Sequence, residues 1–316
     1  MRKIKLLSVV VPCHNEQEVL TTTHARLSKV LQYLVEAGKC SSFEIIYIDN
    51  GSTDNTLQVL RNIFEFDPTV RIFALRRNFG YQGSISAGLF HAKGDAVVTI
   101  DADLQDPPER IEEMIGYFEQ GYDLVLGVRK ERSADSFIKR FSSESYYRLM
   151  KMMGVEIIHN HGDFRLMAKP LVQEFNALAE RNRFIRAMIL QLESRYAIVY
   201  YKREQRTAGK SKFNISSLFS LSLDGIISFT YVPLRLASLF GILICFLAIL
   251  GIFWVLYVKL STNVVPGWAS TLLPVLGLSG FQLLILGILG EYIGRLYIEV
   301  KQRPLFIVRE EYTHDA

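Results

Sequence analysis

From Leu236 to Val258 the chain carries no charged residue, and no other feature of the sequence restricts its folding so strongly. A hydrocarbon core needs roughly 20 apolar residues in a helix, so this stretch is long enough to span a bilayer. A second candidate runs from Leu272 to Gly290 and is ended by Glu291 and Arg295. Its Pro274 and glycines are tolerable in a membrane helix. A buried helical hairpin of a soluble protein is the alternative, but such proteins seldom hold two consecutive uncharged stretches of this length. Two spans put both chain ends on one side. The connecting segment Lys259 to Ser270 holds one basic residue, whereas Arg235, Arg295, Lys301 and Arg303 flank the outer ends. The positive-inside rule therefore makes the long N-terminal region and the C-terminal tail cytoplasmic, on a multi-pass protein of the inner membrane.

The N-terminal region has a different texture. Short β-rich apolar runs alternate with amphipathic stretches, the pattern of a mostly parallel α/β sheet. Predicted strands cover Leu7–Val11, Glu44–Ile48, Val70–Leu75, Ala96–Ile100 and Leu124–Gly127, and predicted helices cover 19–37, 56–66, 82–92 and 109–120. The run Leu6–Val11 ends at Pro12 and is too short for a signal peptide, so it reads as the first buried strand.

In open α/β sheets ligands collect at the carboxyl ends of strands, so the polar residues after each run are where chemistry is expected. Strand one ends in Pro12-Cys13-His14-Asn15-Glu16, strand two in Asp49-Asn50-Gly51-Ser52-Thr53-Asp54, and strand four in Asp101-Ala102-Asp103-Leu104-Gln105-Asp106. Carboxylates at i and i+2 of an extended segment point the same way, so Asp101 and Asp103 can address one hard cation directly or through water. Mg²⁺ or Mn²⁺ held there would bridge a diphosphate and neutralise a departing group. Taken alone two acidic loop residues are more often solvated than metal-binding; directly after a buried strand they carry more weight. Asp49 is suited to accept from a uracil N–H or a ribose hydroxyl, while Asp54 caps the next helix in an Asx-rich turn.

A net charge of only +4 over 316 residues does not indicate a nucleic-acid partner. Basic residues do cluster, in Arg129 to Arg140 and Lys202 to Lys212, as solvated surface segments or, beside a membrane, as contacts for lipid phosphate. Cys13, Cys40 and Cys245 are odd in number, far apart and free of CxxC spacing, which fits a reduced cytoplasmic domain.

These residues together resemble family 2 glycosyltransferases of the GT-A type: Val10-Val11-Pro12 with Asn15-Glu16, Asp49 with Gly51-Ser52 and Asp54, and Asp101-Ala102-Asp103-Leu104-Gln105. More narrowly the chain is similar to polyisoprenyl-phosphate glycosyltransferases, the group containing dolichyl-phosphate mannose synthase and the bacterial bactoprenol glucosyltransferases. That match rests on Asp103-Leu104-Gln105-Asp106-Pro107-Pro108, Arg76-Arg77-Asn78-Phe79-Gly80, Gly209-Lys210-Ser211-Lys212-Phe213, Glu291-Tyr292-Ile293-Gly294-Arg295 and Arg303-Pro304, and it covers essentially the whole chain.

The resemblance implies a Rossmann-like GT-A catalytic domain over 1–212, a juxtamembrane interfacial helix over 213–231, a two-helix transmembrane hairpin over 232–298 and a cytoplasmic tail over 299–316. It implies that Pro12, His14, Glu16, Asp49 and Arg76 bind the nucleotide-sugar together with Asp101 and Asp103, and that Asp101, Asp103 and Gln105 serve the divalent metal. Arg129, Arg140, Ser143, Ser211 and Lys212 would hold the lipid phosphate, and Arg206 would close over the diphosphate as a catalytic residue beside Asp103. Asp163, in His161-Gly162-Asp163-Phe164-Arg165, matches the family's candidate base; its alternative role is a structural partner for Arg165.

The expected reaction is an inverting, in-line transfer of a hexose onto undecaprenyl phosphate. The likeness of its length and two-span tail to the bactoprenol glucosyltransferases implies UDP-glucose as donor, ahead of UDP-N-acetylglucosamine, a modified arabinose or GDP-mannose. Basic amphipathic stretches at Ser136–Met153 and Ile215–Phe229 would lie on the bilayer surface, or be ordinary surface helices. Gly287, Gly290 and Gly294 allow close packing in a homo-oligomer. A processive polysaccharide synthase would need a QxxRW motif, yet the only tryptophans are Trp254 and Trp268. A non-catalytic membrane scaffold remains the reading from a different class.

Overall fold

The computed structural model describes residues 2–130, 158–181, 183–204, 232–261 and 268–314. The expected basic stretch at 136–153 and interfacial helix at 213–231 lie outside them.

Alternation of apolar runs and amphipathic segments produces the expected α/β order. It begins β1 (Ile4–Cys13), α1 (Leu20–Glu36), β2 (Cys40–Asp49), α2 (Thr56–Phe66), β3 (Val70–Leu75), α3 (Gly80–His91) and β4 (Ala96–Thr99). A short 3₁₀ turn at Pro108–Arg110 leads into α4 (Ile111–Glu119) and β5 (Leu124–Arg129). Then follow β6 (His161–Ala168), α5 (Lys169–Ala177), α6 (Ile185–Leu192) and β7 (Tyr196–Tyr201). Two long helices, α7 (Val232–Ser261) and α8 (Trp268–Val300), precede a last strand, β8 (Val308–Tyr312).

The strands form one sheet in the order β7-β5-β6-β4-β1-β2-β3-β8. Parallel pairing joins β1 to β2 and β4, β2 to β3, and β5 to β7, while β6 and β8 run against the rest. Central strands of such a sheet are covered on both faces and therefore read as continuous apolar runs. Leu7 to Cys13 of β1 are accordingly all buried. Helix α1 buries Leu20, Thr23, Leu27, Leu31 and Leu34, a single stripe at three- and four-residue spacing laid against the sheet.

Two pieces of this topology place the site. β6 pairs antiparallel with β4, setting Thr99 against Arg165; continued two residues, that register sets Asp101 against Asp163. β8 pairs with β3, so part of the tail expected to be a separate segment completes the sheet edge. The sheet, its helices and β8 form one compact unit and the two long helices belong to another.

Helices α7 and α8 cover both charge-poor stretches, with 30 and 33 residues. Among the described residues no helix is long and apolar enough to cross a membrane. The sequence of α7 is uncharged from Leu236 to Val258.

Candidate active site

The loops after β1, β2 and β3 lock together through neutral hydrogen bonds. Asn50 donates its backbone N–H to the Cys13 carbonyl (2.9 Å), and its side chain accepts from Phe79 N–H (2.9 Å) while donating to Asn78 Oδ1 (3.2 Å) and the Gly80 carbonyl (3.1 Å). Asn15, at φ 54°, donates its N–H to Ser52 Oγ (3.0 Å) and accepts from Thr53 N–H (2.8 Å). His14 Nδ1 lies 3.1 Å from the Asn50 carbonyl and Nε2 lies 3.1 Å from Asn78 Nδ2; the tautomer with hydrogen on Nδ1 satisfies both. Gly51, at φ 63°, is required, because a Cβ there would sit 2.5 Å from the backbone of Arg77.

Pro12 is buried within β1 against Ile48, and Glu16 donates its N–H to Thr56 Oγ1 (2.8 Å). Asp49 is buried at the end of β2; burial raises its carboxyl, and bonds from Ser52 with the charges of His14 and Arg309 partly oppose the rise. Asp54 accepts from the N–H of Thr56, the first residue of α2, in an Asx turn; the N-cap position is Asn55, not the expected Asp54. Arg76 is exposed, and its backbone N–H donates to the Ile307 carbonyl (2.9 Å), just before β8.

The paired carboxylates follow β4. Tyr81, on the first turn of α3, donates its hydroxyl to Asp101 Oδ1 at 2.5 Å. The loop is fastened by Thr23, whose hydroxyl donates to the Ala102 carbonyl (2.6 Å), and Asp103 Oδ1 accepts the N–H of Gln105 (3.2 Å). Between them Leu104 holds φ 56°, a left-handed conformation that a branched apolar residue rarely adopts and that marks an over-determined functional loop. Gln105, expected to serve the metal, directs its side chain to Arg203 and the Glu204 carbonyl.

Among the described residues no group of three His, Cys, Asp or Glu side chains forms a metal site. The two carboxylates nevertheless suit a cation that draws its remaining ligands from a diphosphate and water. Burial, with the nearby charges of Asp106 and Asp163, pushes the Asp101 carboxyl up to about 7, a crowding that a divalent ion would relieve.

A set of buried ion pairs lies near these carboxylates. Asp106 is fully buried and takes two contacts from Arg129 Nη2, at 3.1 and 3.2 Å, and one from the Tyr201 hydroxyl at 2.6 Å. Asp163, 4% exposed, gives one oxygen to the fully buried Arg165 and the other to Arg186, whose Nη2 and Nε lie 2.6 and 3.2 Å away. Burial alone would raise the Asp163 carboxyl; the charges of Arg186 and Arg165 outweigh it and hold the group well below the usual carboxylate range. Both Asp163 oxygens are thus held by guanidinium groups, one of them that of Arg165. His161, buried beside these groups, is held well below its ordinary value of 6.5, by desolvation first and then by Arg165.

The structure thus gathers Asp101, Asp103, Arg129 and Asp163, and places Pro12, His14, Glu16 and Asp49 in the interlocked loops of the neighbouring strands. Arg140, Ser143, Arg206, Ser211 and Lys212 lie outside the described residues. Tyr81, Arg186 and Tyr201 were not foreseen, nor was Arg203 beyond its place in the Lys202 to Lys212 cluster, since each meets its partner across 20 to 98 residues.

A family model, Glycosyl transferase family 2, matches residues 8–175, and the chain belongs to that family of enzymes. It is 42% identical over 96% of its length, and 94% of the relative's, to the uncharacterized glycosyltransferase YkcC of Bacillus subtilis (strain 168). It is 38% identical over 97% of its length, and 98% of the relative's, to the SfII prophage-derived bactoprenol glucosyl transferase of Shigella flexneri. Among solved structures, glucosyl-3-phosphoglycerate synthase from Mycobacterium tuberculosis, in complex with Mn²⁺, UDP-glucose and phosphoglyceric acid, aligns at a TM-score of 0.47 and 20% identity over 71% of this chain and 78% of that one.

Proposed function

We propose that this glycosyltransferase moves glucose from UDP-glucose, with inversion, onto undecaprenyl phosphate at the cytoplasmic face of a bacterial inner membrane that α7 and α8 cross. The observation that carries the reading is the juxtaposition of paired carboxylates with guanidinium groups. Asp101 lies within electrostatic reach of both Arg129 and Arg186. A cation site beside a basic site suits a reaction that must bring two phosphorylated reactants together.

The domain plan follows. Residues 1–212 are the catalytic domain, completed by β8, and 232–298 the two-helix segment; 213–231, expected as an interfacial helix, lie outside the described residues. Leu239, Phe240, Ile242, Leu243, Phe246 and Leu247 of α7 are each half exposed or more, an apolar surface that a lipid environment would cover. Full-length likeness to proteins named bactoprenol glucosyl transferases supports both donor sugar and acceptor.

In this reading the interlocked loops carrying Pro12, His14, Glu16, Asp49 and Arg76 hold the nucleoside. Asp101 and Asp103 hold Mg²⁺ or Mn²⁺, which supplies charge neutralisation on the diphosphate. Arg129, Arg140, Ser143, Ser211 and Lys212 gather the lipid phosphate, and Arg206 covers the leaving diphosphate. A phosphate oxygen of the acceptor forms the bond to the anomeric carbon as the bond to the nucleotide's oxygen breaks. No general base is needed, because a phosphate monoester with a second pKa of roughly 6 is largely a dianion at neutral pH. Asp163 can then act as an anchor for arginines.

Full-length protein in detergent, given undecaprenyl phosphate, a divalent cation and labelled nucleotide-sugars, tests this directly. UDP-glucose should yield labelled lipid, ahead of UDP-N-acetylglucosamine, a modified UDP-arabinose and GDP-mannose. Chelation should stop it, and Asp103→Ala should reduce turnover by on the order of 10³-fold. No labelled lipid from any donor would sink the proposal and favour the scaffold reading.

A further inference from the structure

Arg186 has no place in the sequence motifs, yet it sits on the same charged network as Asp101. It opens α6, whose first residue, Ile185, donates its N–H to Gln82 Oε1 (3.2 Å), and Gln82 follows the Tyr81 that holds Asp101. One turn of α3 therefore ties the start of α6 to the first carboxylate after β4. Asp163 secures the guanidinium through Nε and Nη2, fixing its plane, while 34% of the Arg186 side chain stays exposed.

Arg165 and Arg186 share this carboxylate but are placed differently. Arg165 is wholly buried and can meet only protein groups. Arg186 keeps an open side, and its remaining nitrogen, Nη1, makes no hydrogen bond among the described residues. A pair of arginines against one buried carboxylate leaves a net positive charge, and a guanidinium with a fixed plane is suited to accept a phosphate edge-on.

We propose that Arg186 is a positioning residue for the acceptor, binding the phosphate that attacks the sugar, and that Asp163 orients it and takes no proton. This rests on the reading that the acceptor is a polyisoprenyl phosphate. In that reading Asp101 and Asp103 would meet the donor's diphosphate through a cation, and Arg186, on α6 and bound to Asp163 of β6, would meet the second anion.

Full-length wild type, Arg186→Lys, Arg186→Ala and Asp163→Asn are compared in detergent by initial rates against undecaprenyl phosphate and against UDP-glucose, with UDP binding as the check on folding. Arg186→Ala should raise the KM for the lipid phosphate by about 10-fold or more, with the KM for UDP-glucose and UDP binding held within about 2-fold; Arg186→Lys should fall between. Asp163→Asn should shift the same acceptor KM and leave the acid limb of the pH–rate profile where it is. Farnesyl phosphate, a short acceptor, should show the same penalty, since the phosphate is what is read; a penalty confined to the long lipid would assign Arg186 to the membrane surface and overturn the proposal. An unchanged acceptor KM, or an equal rise in donor KM, would also overturn it while leaving the proposed reaction intact. Wild type that glucosylates neither acceptor would bring down both.

Discussion

The two halves of the sheet hold their catalytic loops in opposite ways. On the β1-β2-β3 side, the loops are joined by amides, hydroxyls and backbone groups, centred on Asn15, Asn50 and Asn78. On the β4-β6-β5-β7 side, buried carboxylates Asp106 and Asp163 are bound by Arg129, Arg165 and Arg186. Neutral hydrogen bonds hold shape across a wide pH range and leave no net charge, which suits a nucleoside. Buried ion pairs seldom add net stability, because desolvation offsets most of their attraction, but they fix where charge stands. That suits a place where anions must be received.

Arg129→Ala should have the largest effect on stability. It removes the charge partner of the fully buried Asp106, leaving only the Tyr201 hydroxyl, and should cost about 3–5 kcal/mol, seen as a fall in the unfolding midpoint of the full chain in detergent. Adding Asp106→Asn should recover much of the loss. If Arg129→Ala alone is harmless, the charged half is not held by its ion pairs and the comparison breaks.

Gly51→Ala probes the neutral half. The new Cβ would meet the Arg77 backbone at 2.5 Å from a left-handed φ, so the 49–53 and 76–80 loops must part. A cost of roughly 1–3 kcal/mol is expected, with a raised KM for the nucleotide-sugar and little change for the lipid acceptor. A larger effect on acceptor than on donor would reverse the assignment of the two halves.

The smallest effect sharpens the contrast through pH. His161 is more easily protonated when unfolded, near 6.5, than when folded, so the stability it contributes is complete above pH 6.5 and is lost as pH falls toward its lower folded value. His161→Phe should flatten the dependence of the unfolding midpoint below about pH 6.5. A slope unchanged by this substitution would place the titrating group elsewhere. Asp163 acts in a separate, more acidic window. Its lowered carboxyl contributes stability above the ordinary value of 3.8 that is lost below it.

The difference between the halves also decided how far each could be read in advance. That Asp49, Asp101 and Asp103 fall at strand ends was legible because a strand's apolar run and the polar residues that end it are neighbours in the chain. The five predicted strands and four predicted helices of the first 130 residues are all present for the same reason. The long helices follow from composition over thirty consecutive residues.

Contacts between distant segments were a different matter. Asp163 could be named as a base or as a partner of Arg165, but its second contact, with Arg186, comes from another element 23 residues away. Tyr201 reaches Asp106 across 95 residues, and β8 returns after two long helices so that Glu310 meets Arg61 across 249. Local periodicity and turn chemistry act over a few bonds and so leave their mark on the sequence. Which charge is neutralised, and by whom, depends on burial and on register between strands that only come together when the chain folds.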